Sequence, residues 1–259
     1  MTLQEALMVG QILWRGMLAG IVAGFLSAGF AFVAGEPSVD RAIAFEGAVA
    51  QAAGEPEEPE IVSRAVQRSI GLVTASVVFG AGLGGLFALA FALANGRVGA
   101  LDPRAVAALL ALAGFLSIAL IPGLKYPPNP PAIGQPETIG ARTALYFTMV
   151  FSSVLAMIVA SMLRAPLARR FGAWPGGLIC AGLALAAVAV MAFALPAVNE
   201  VPDNFPADLL WRFRLASFGA QLTLWTVLAL VFGALAAPLA ELDFSRARRD
   251  LKTAPSLGR

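Results

Sequence analysis

Six apolar stretches, at roughly 14–34, 69–94, 105–124, 143–163, 175–198 and 215–240, hold no Asp, Glu or Lys well inside them. A helix needs about 20 apolar residues to cross a bilayer, and a helix satisfies its own backbone groups there. Six such runs in 259 residues leave little room for a water-facing surface. Composition agrees: 59% of residues are apolar and 13% are charged, against about 25% charged in a soluble domain. The pattern predicts an all-α integral membrane protein with six transmembrane helices, and excludes a soluble enzyme or a disordered regulator.

Charge asymmetry predicts the orientation. The N-terminus, the second and fourth loops and the C-terminus together hold 11 basic residues and 5 acids. The first, third and fifth loops hold 7 basic residues and 11 acids. Both termini are therefore expected on the cytoplasmic side. Residues 1–240 read as one polytopic membrane domain and 241–259 as a basic cytoplasmic tail. The first apolar run is longer than a signal-peptide core of about 7–15 residues, so it reads as a span rather than a cleaved leader. Trp14, Trp174, Tyr126 and Trp211 fall at span ends, as interfacial rings do, whereas Trp225 falls well inside the last span and reads as a packing residue. The lipid bilayer is the expected environment, and the basic residues, lying in loops between spans, do not signal nucleic acid.

Small residues recur every fourth position in the first two spans: Gly16, Gly20, Gly24 and Ala28, then Gly80, Gly84, Ala88 and Ala92. Such stripes suit close helix–helix contact in lipid, and the competing reading is a substrate path beside them. Pro122 and Pro196 near the ends of the third and fifth spans either stop their helices or break them and free carbonyls. They also open an internal repeat. Ile121-Pro122, Asn129-Pro130-Pro131-Ala132 and Arg142-Thr143-Ala144-Leu145-Tyr146 echo Leu195-Pro196, Asn204-Phe205-Pro206-Ala207 and Arg214-Leu215-Ala216-Ser217-Phe218. This predicts three helical hairpins whose polar loops converge on one outer face.

The chain has no histidine and one cysteine, Cys180. Ser-His-Asp and Cys-His catalysis, His-ligated haem and His/Cys zinc sites are excluded within it, and no enzymatic activity is expected. No Gly-x-x-x-x-Gly-Lys-[Ser/Thr] loop and no intramembrane carboxylate offers to power transport. The outer loops carry the hard oxygen ligands that suit divalent cations. The candidates are Glu36, Asp40 and Glu46 in loop one, Glu137 in loop three, and Glu200 and Asp203 in loop five. Pro37 suits the start of a helix on which Glu36 and Asp40 lie one turn apart and Glu46 faces elsewhere. Lys125, Tyr126, Asn129, Arg142, Asn199, Trp211 and Arg214 are structural or pathway candidates. The competing readings are an amphipathic surface helix for loop one, and loop closure by Arg142 or Arg214 with Glu137 or Glu200. Glu55-Pro56-Glu57-Glu58-Pro59-Glu60 reads as a solvated spacer.

Several of these strings also resemble a family. Glu-Pro-x-x-Asp-Arg-Ala-Ile-Ala-Phe-Glu at 36–46, Lys-Tyr-Pro-x-Asn-Pro-Pro-Ala at 125–132 and Glu-Thr-Ile-Gly-x-Arg-Thr at 137–143 are similar to the CbtA family. So are Pro-Ala-Val-Asn-Glu-Val-Pro at 196–202 and Phe-Pro-Ala-Asp-Leu-Leu-Trp-Arg-Phe-Arg-Leu-Ala-Ser at 205–217. The resemblance implies a cobalt transporter subunit of the bacterial cytoplasmic membrane, linked to vitamin B12 synthesis. It also implies a small histidine-rich membrane partner of the CbtB type. It supplies no ligand residues. The expectation is a permease subunit of a divalent-metal importer, with Co²⁺ as the transported ion and no covalently bound cofactor. The alternative is a membrane scaffold that transports nothing.

Overall fold

The computed structural model describes residues 3–54, 61–97 and 101–253, with side chains over 9–54, 61–97 and 101–238. The acidic spacer at 55–60 and the chain end at 254–259 lie outside the described residues. The described residues are helical with no strand. Six helical stretches are long and apolar enough to cross a membrane: Val9–Ala53, Arg64–Ala94, Pro103–Lys125, Pro136–Phe171, Ala173–Ala194 and Ala207–Pro238. The protein is a multi-pass membrane protein.

In chain order the α-helices are α1 (Leu3–Phe30), α2 (Glu36–Ala53), α3 (Arg64–Val66), α4 (Leu72–Ala94), α5 (Pro103–Gly114), α6 (Ile121–Lys125), α7 (Ile139–Phe171), α8 (Ala173–Ala194) and α9 (Ala207–Thr253). Three π-helical segments, Ala31–Gly35, Gln67–Gly71 and Phe115–Leu120, join α1 to α2, α3 to α4 and α5 to α6 without a break. Two of them lie just before a proline. In an α-turn, the rings of Pro37 and Pro122 would crowd the carbonyls four residues back, those of Val33 and Ile118. Each of these carbonyls falls inside a π segment, where the wider turn makes room. The first span therefore does not stop near residue 34. It runs on through Pro37 to Ala53, and Gly54 at φ 72° ends it in the left-handed conformation glycine favours. The surface helix expected from Glu36 onward is thus a continuation of the membrane helix. Pro122 does not end its helix, which reaches Lys125, whereas Pro196 does. Leu195 before it is extended, as a residue preceding proline prefers. The last helix starts at Ala207, so Trp211, Arg212 and Arg214 are helical rather than in a loop, and its backbone continues through part of the expected tail to Thr253.

Two compact units are distinguished along the chain. The first comprises 1–29, 70–112 and 223–259. Here α1 and α4 run antiparallel with their backbones in contact along the two small-residue stripes. A Cβ at Gly16, Gly20 or Gly24 would strike the carbonyl oxygens of Gly84, Gly80 and Ser76 in turn. The helix-contact reading of the stripes is the one observed. Phe87 and Phe91 meet Phe232 edge-on, with centroids 5.2 and 5.0 Å apart, and Trp225 is buried at 6.5 Å from Phe87. Arg15 donates to Leu235 O at 2.6 Å. Asp102 and Pro103 open α5: Asp102 Oδ1 accepts from Arg104 N at 2.7 Å, and the proline occupies the first turn.

The second unit comprises 30–69 and 113–222. Gly172, at φ 91°, turns α7 directly into α8, and Gly176 sits against the backbone of Leu167 and Ala168. These two helices leave most of their apolar surface uncovered; their most apolar windows are only 11% and 6% buried. A small core gathers the polar segments at one end. Ala42 and Phe45 of α2, Ala132 and Ile133, and Phe205 and Leu209 pack together, with Phe45 edge-on to Phe205 at 5.0 Å.

Candidate functional site

Two non-helical segments of the second unit, 126–135 and 195–206, carry five of the predicted site residues: Tyr126, Asn129, Asn199, Glu200 and Asp203. Proline content keeps both out of the helices. They face each other across a cleft of about 560 Å³, within the range of small-ligand sites. Tyr126, Asn129, Arg142, Asn199, Glu200 and Arg214 all line it. Six candidates scattered over 89 positions of sequence thus share one cavity.

The cleft is held by reciprocal bonds between the two repeat segments. Arg142, which follows the first segment, reaches to the second: its Nε lies 3.4 Å from Glu200 Oε2. Arg214, its counterpart after the second segment, reaches back to the first, where Nη2 donates to Asn129 Oδ1 at 2.9 Å. Tyr126 adds a third tie, its hydroxyl donating to Pro196 O at 2.8 Å. Partial burial pushes the Tyr126 phenol above its ordinary value. Gly134 is required twice over. It sits at φ 109°, and the Arg142 guanidinium occupies the space a Cβ would take. Ala132, two positions before it, also lies in the left-handed region, at φ 71°, and packs against the Ile133–Phe205 core.

Glu200 is the best-tied carboxylate. The Thr138 hydroxyl, the Gln135 N–H and the Arg142 guanidinium hold its carboxyl below the ordinary value. The Gln135 N–H donates to Oε2 at 2.9 Å. Tyr146, one turn past Arg142 on α7, donates to Ile118 O at 3.2 Å. In an α-helix that carbonyl would accept from residue 122, which is proline and has no N–H. The freed carbonyl is therefore taken by a neighbouring helix.

The loop-one candidates lie apart from the cleft lining. Arg64 binds both Glu36 and Asp40, with Nε 3.0 Å from Asp40 Oδ1, and Arg68 Nη1 lies 3.6 Å from Asp40 Oδ2. Arg68 also stacks 5.7 Å over the Phe32 ring. Glu46, Glu137, Asp203 and Trp211 are exposed, and Lys125 lies 5.6 Å over the Tyr126 ring. Among the described residues, no three of His, Cys, Asp and Glu come together to hold a metal ion.

Loop closure by arginine–carboxylate pairing thus holds for Arg142 with Glu200, whereas Arg214 takes an amide. The sequence reading did not single out Arg64, Arg68 and Tyr146. A signal existed for the first two: two cations four residues apart match two carboxylates four residues apart. Tyr146 is the aromatic of the repeated Arg-x-Ala-x-aromatic motif.

No curated protein and no solved structure gave a match to the chain. A family described as probable cobalt transporter subunit matches residues 9–237, which covers the six apolar helices to within one residue and takes in every site candidate. The chain belongs to this family, CbtA.

Proposed function

We propose that the chain is the permease subunit of a divalent-metal importer in the bacterial cytoplasmic membrane, carrying Co²⁺ inward for vitamin B12 synthesis. The observation that carries this reading is the family match across a chain with six membrane-length apolar helices. The exposed carboxylates Glu46, Glu137 and Asp203 collect hydrated cation by long-range attraction. Glu36, Asp40 and Glu200 are held by arginines, so a cation binds them only by displacing a guanidinium. Oxygen ligands discriminate poorly among divalent metals, and Co²⁺ favours imidazole. The chain has no histidine, so a small histidine-rich partner of the CbtB type supplies selectivity.

Uptake of radioactive cobalt tests this in cells expressing the chain with and without that partner. Uptake is expected to need both proteins and to fall several-fold in the triple variant Glu46→Gln, Glu137→Gln, Asp203→Asn at equal membrane expression. No uptake with both proteins present overturns the proposal. The arginine-bound state of Glu36, Asp40 and Glu200 favours a second reading, a scaffold that assembles metal-handling partners. Partner-dependent uptake that is unchanged in the triple variant, with the chain replaceable by its loops, points to that scaffold.

A further inference from the structure

The two repeat-related arginines of the cleft differ in one respect. Arg142 has a carboxylate beside it, that of Glu200. Arg214 has the neutral amide oxygen of Asn129, and among the described residues no carboxylate lies within ion-pair distance of it. Both side chains are only partly exposed, and each keeps a buried Nε without a hydrogen-bond partner. A half-buried guanidinium that meets only neutral dipoles is left with a desolvation cost that no counter-charge offsets.

The rest of the cleft wall supplies no such charge. Asn199, Thr143 and Gln221 are neutral. The hydroxyls of Tyr126 and Tyr146 are donated to Pro196 O and Ile118 O. Glu200 is the one carboxylate of the lining, and it is already engaged by Arg142 and the Gln135 N–H. The lining therefore carries two guanidinium groups against one carboxylate, in a volume of about 560 Å³. Planar guanidinium groups pair best with carboxylate or phosphate oxygens.

We infer that the cleft binds an anion of the carboxylate or phosphate class at Arg214, where the ligand supplies the counter-charge that Glu200 supplies at Arg142. The same guanidinium repels a bare divalent cation, so a metal reaches this spot only inside an anionic chelate. The ligand is either a free anion in the loop-side water or the phosphate of an anionic lipid headgroup. The inference stands on the chemistry of the cleft and not on cobalt transport.

The test uses the purified full chain in nanodiscs and reads its thermal unfolding midpoint at constant ionic strength. One arm titrates citrate or inorganic phosphate into discs of neutral phosphatidylcholine. The other replaces part of that lipid with phosphatidylglycerol. A saturable rise in the midpoint is expected in at least one arm: the first identifies a free anion, the second a headgroup. Arg214→Gln is expected to weaken the response at least ten-fold. Asn129→Asp, which places a carboxylate beside Arg214, is expected to raise the midpoint without added anion and to blunt the response. The inference is overturned if the wild-type protein responds in neither arm, or if Arg214→Gln responds as wild type does. Should Arg214→Gln fail to fold, Asn129→Asp decides, and a wild-type response from it overturns the inference. Because the readout is unfolding rather than cobalt uptake, failure here leaves the transport reading standing, and the reverse also holds.

Discussion

At the scale of single residues, the polar end of the second unit is a set of arginines assigned to particular oxygens. Glu200 shows what this does to titration. Its carboxyl is held below the ordinary value near 4.5 by the Thr138 hydroxyl, the Gln135 N–H and Arg142. A group whose folded pKa is lowered adds stability above its unfolded pKa and loses it as the pH falls through the folded value. Glu200→Gln should therefore unfold at a lower temperature than wild type at neutral pH. The gap should start to close below about pH 4.5 and vanish in stronger acid. A gap that stays constant across that range would show that the carboxylate's charge plays no part. Much of this was legible in the sequence as residue types, since Arg142, Arg214 and Glu200 stand out as loop charges. Which arginine takes which partner was not legible. The bonds of Arg214 to Asn129 and Arg64 to Glu36 join residues 85 and 28 positions apart, and no local periodicity records such pairings.

At the scale of elements, the sequence announced the spans well and their ends poorly. Six runs of about 20 apolar residues can hardly be anything but helices in lipid, and the four-residue spacing of glycines marked the contact of α1 with α4. That contact gives a paired prediction. Gly80→Ala places a methyl against Gly20 O and should destabilise the protein by about 2 kcal/mol, as overpacking does. Gly82→Ala, two positions along the same helix, meets nothing within 4 Å and should be neutral or stabilising by up to about 0.5 kcal/mol through helix propensity. Unfolding of both variants in detergent separates the two, and equal effects would refute the packing of the stripes. The ends are hidden in the sequence because Pro37 has the look of a helix start, and Arg212 and Arg214 that of loop charges. The π segments carry the helix past Pro37 and Pro122 by a geometry that leaves no mark in the order of residues.

At the scale of the molecule, stretches far apart in sequence are tied within the second unit by one apolar knot: Ala42 and Phe45, Ala132 and Ile133, Phe205 and Leu209. Phe205 is 6% exposed and is the largest side chain buried there. Phe205→Ala should cost about 3 kcal/mol and speed amide hydrogen exchange over residues 126–135 as well as around the mutation. Faster exchange at 203–207 alone would show that the segments are held separately. The repeat hinted at this convergence, since two similar crossover segments leave their spans at similar points, but the role of α2 in the knot depends on the uninterrupted first helix. The reciprocal arginine bonds across the cleft have a mechanical consequence. Each arginine projects from the start of a long helix, α7 or α9, and grips the crossover that belongs to the other. Each crossover is thus moored to a rigid post at its neighbour's end, and the two moorings can be slipped one at a time.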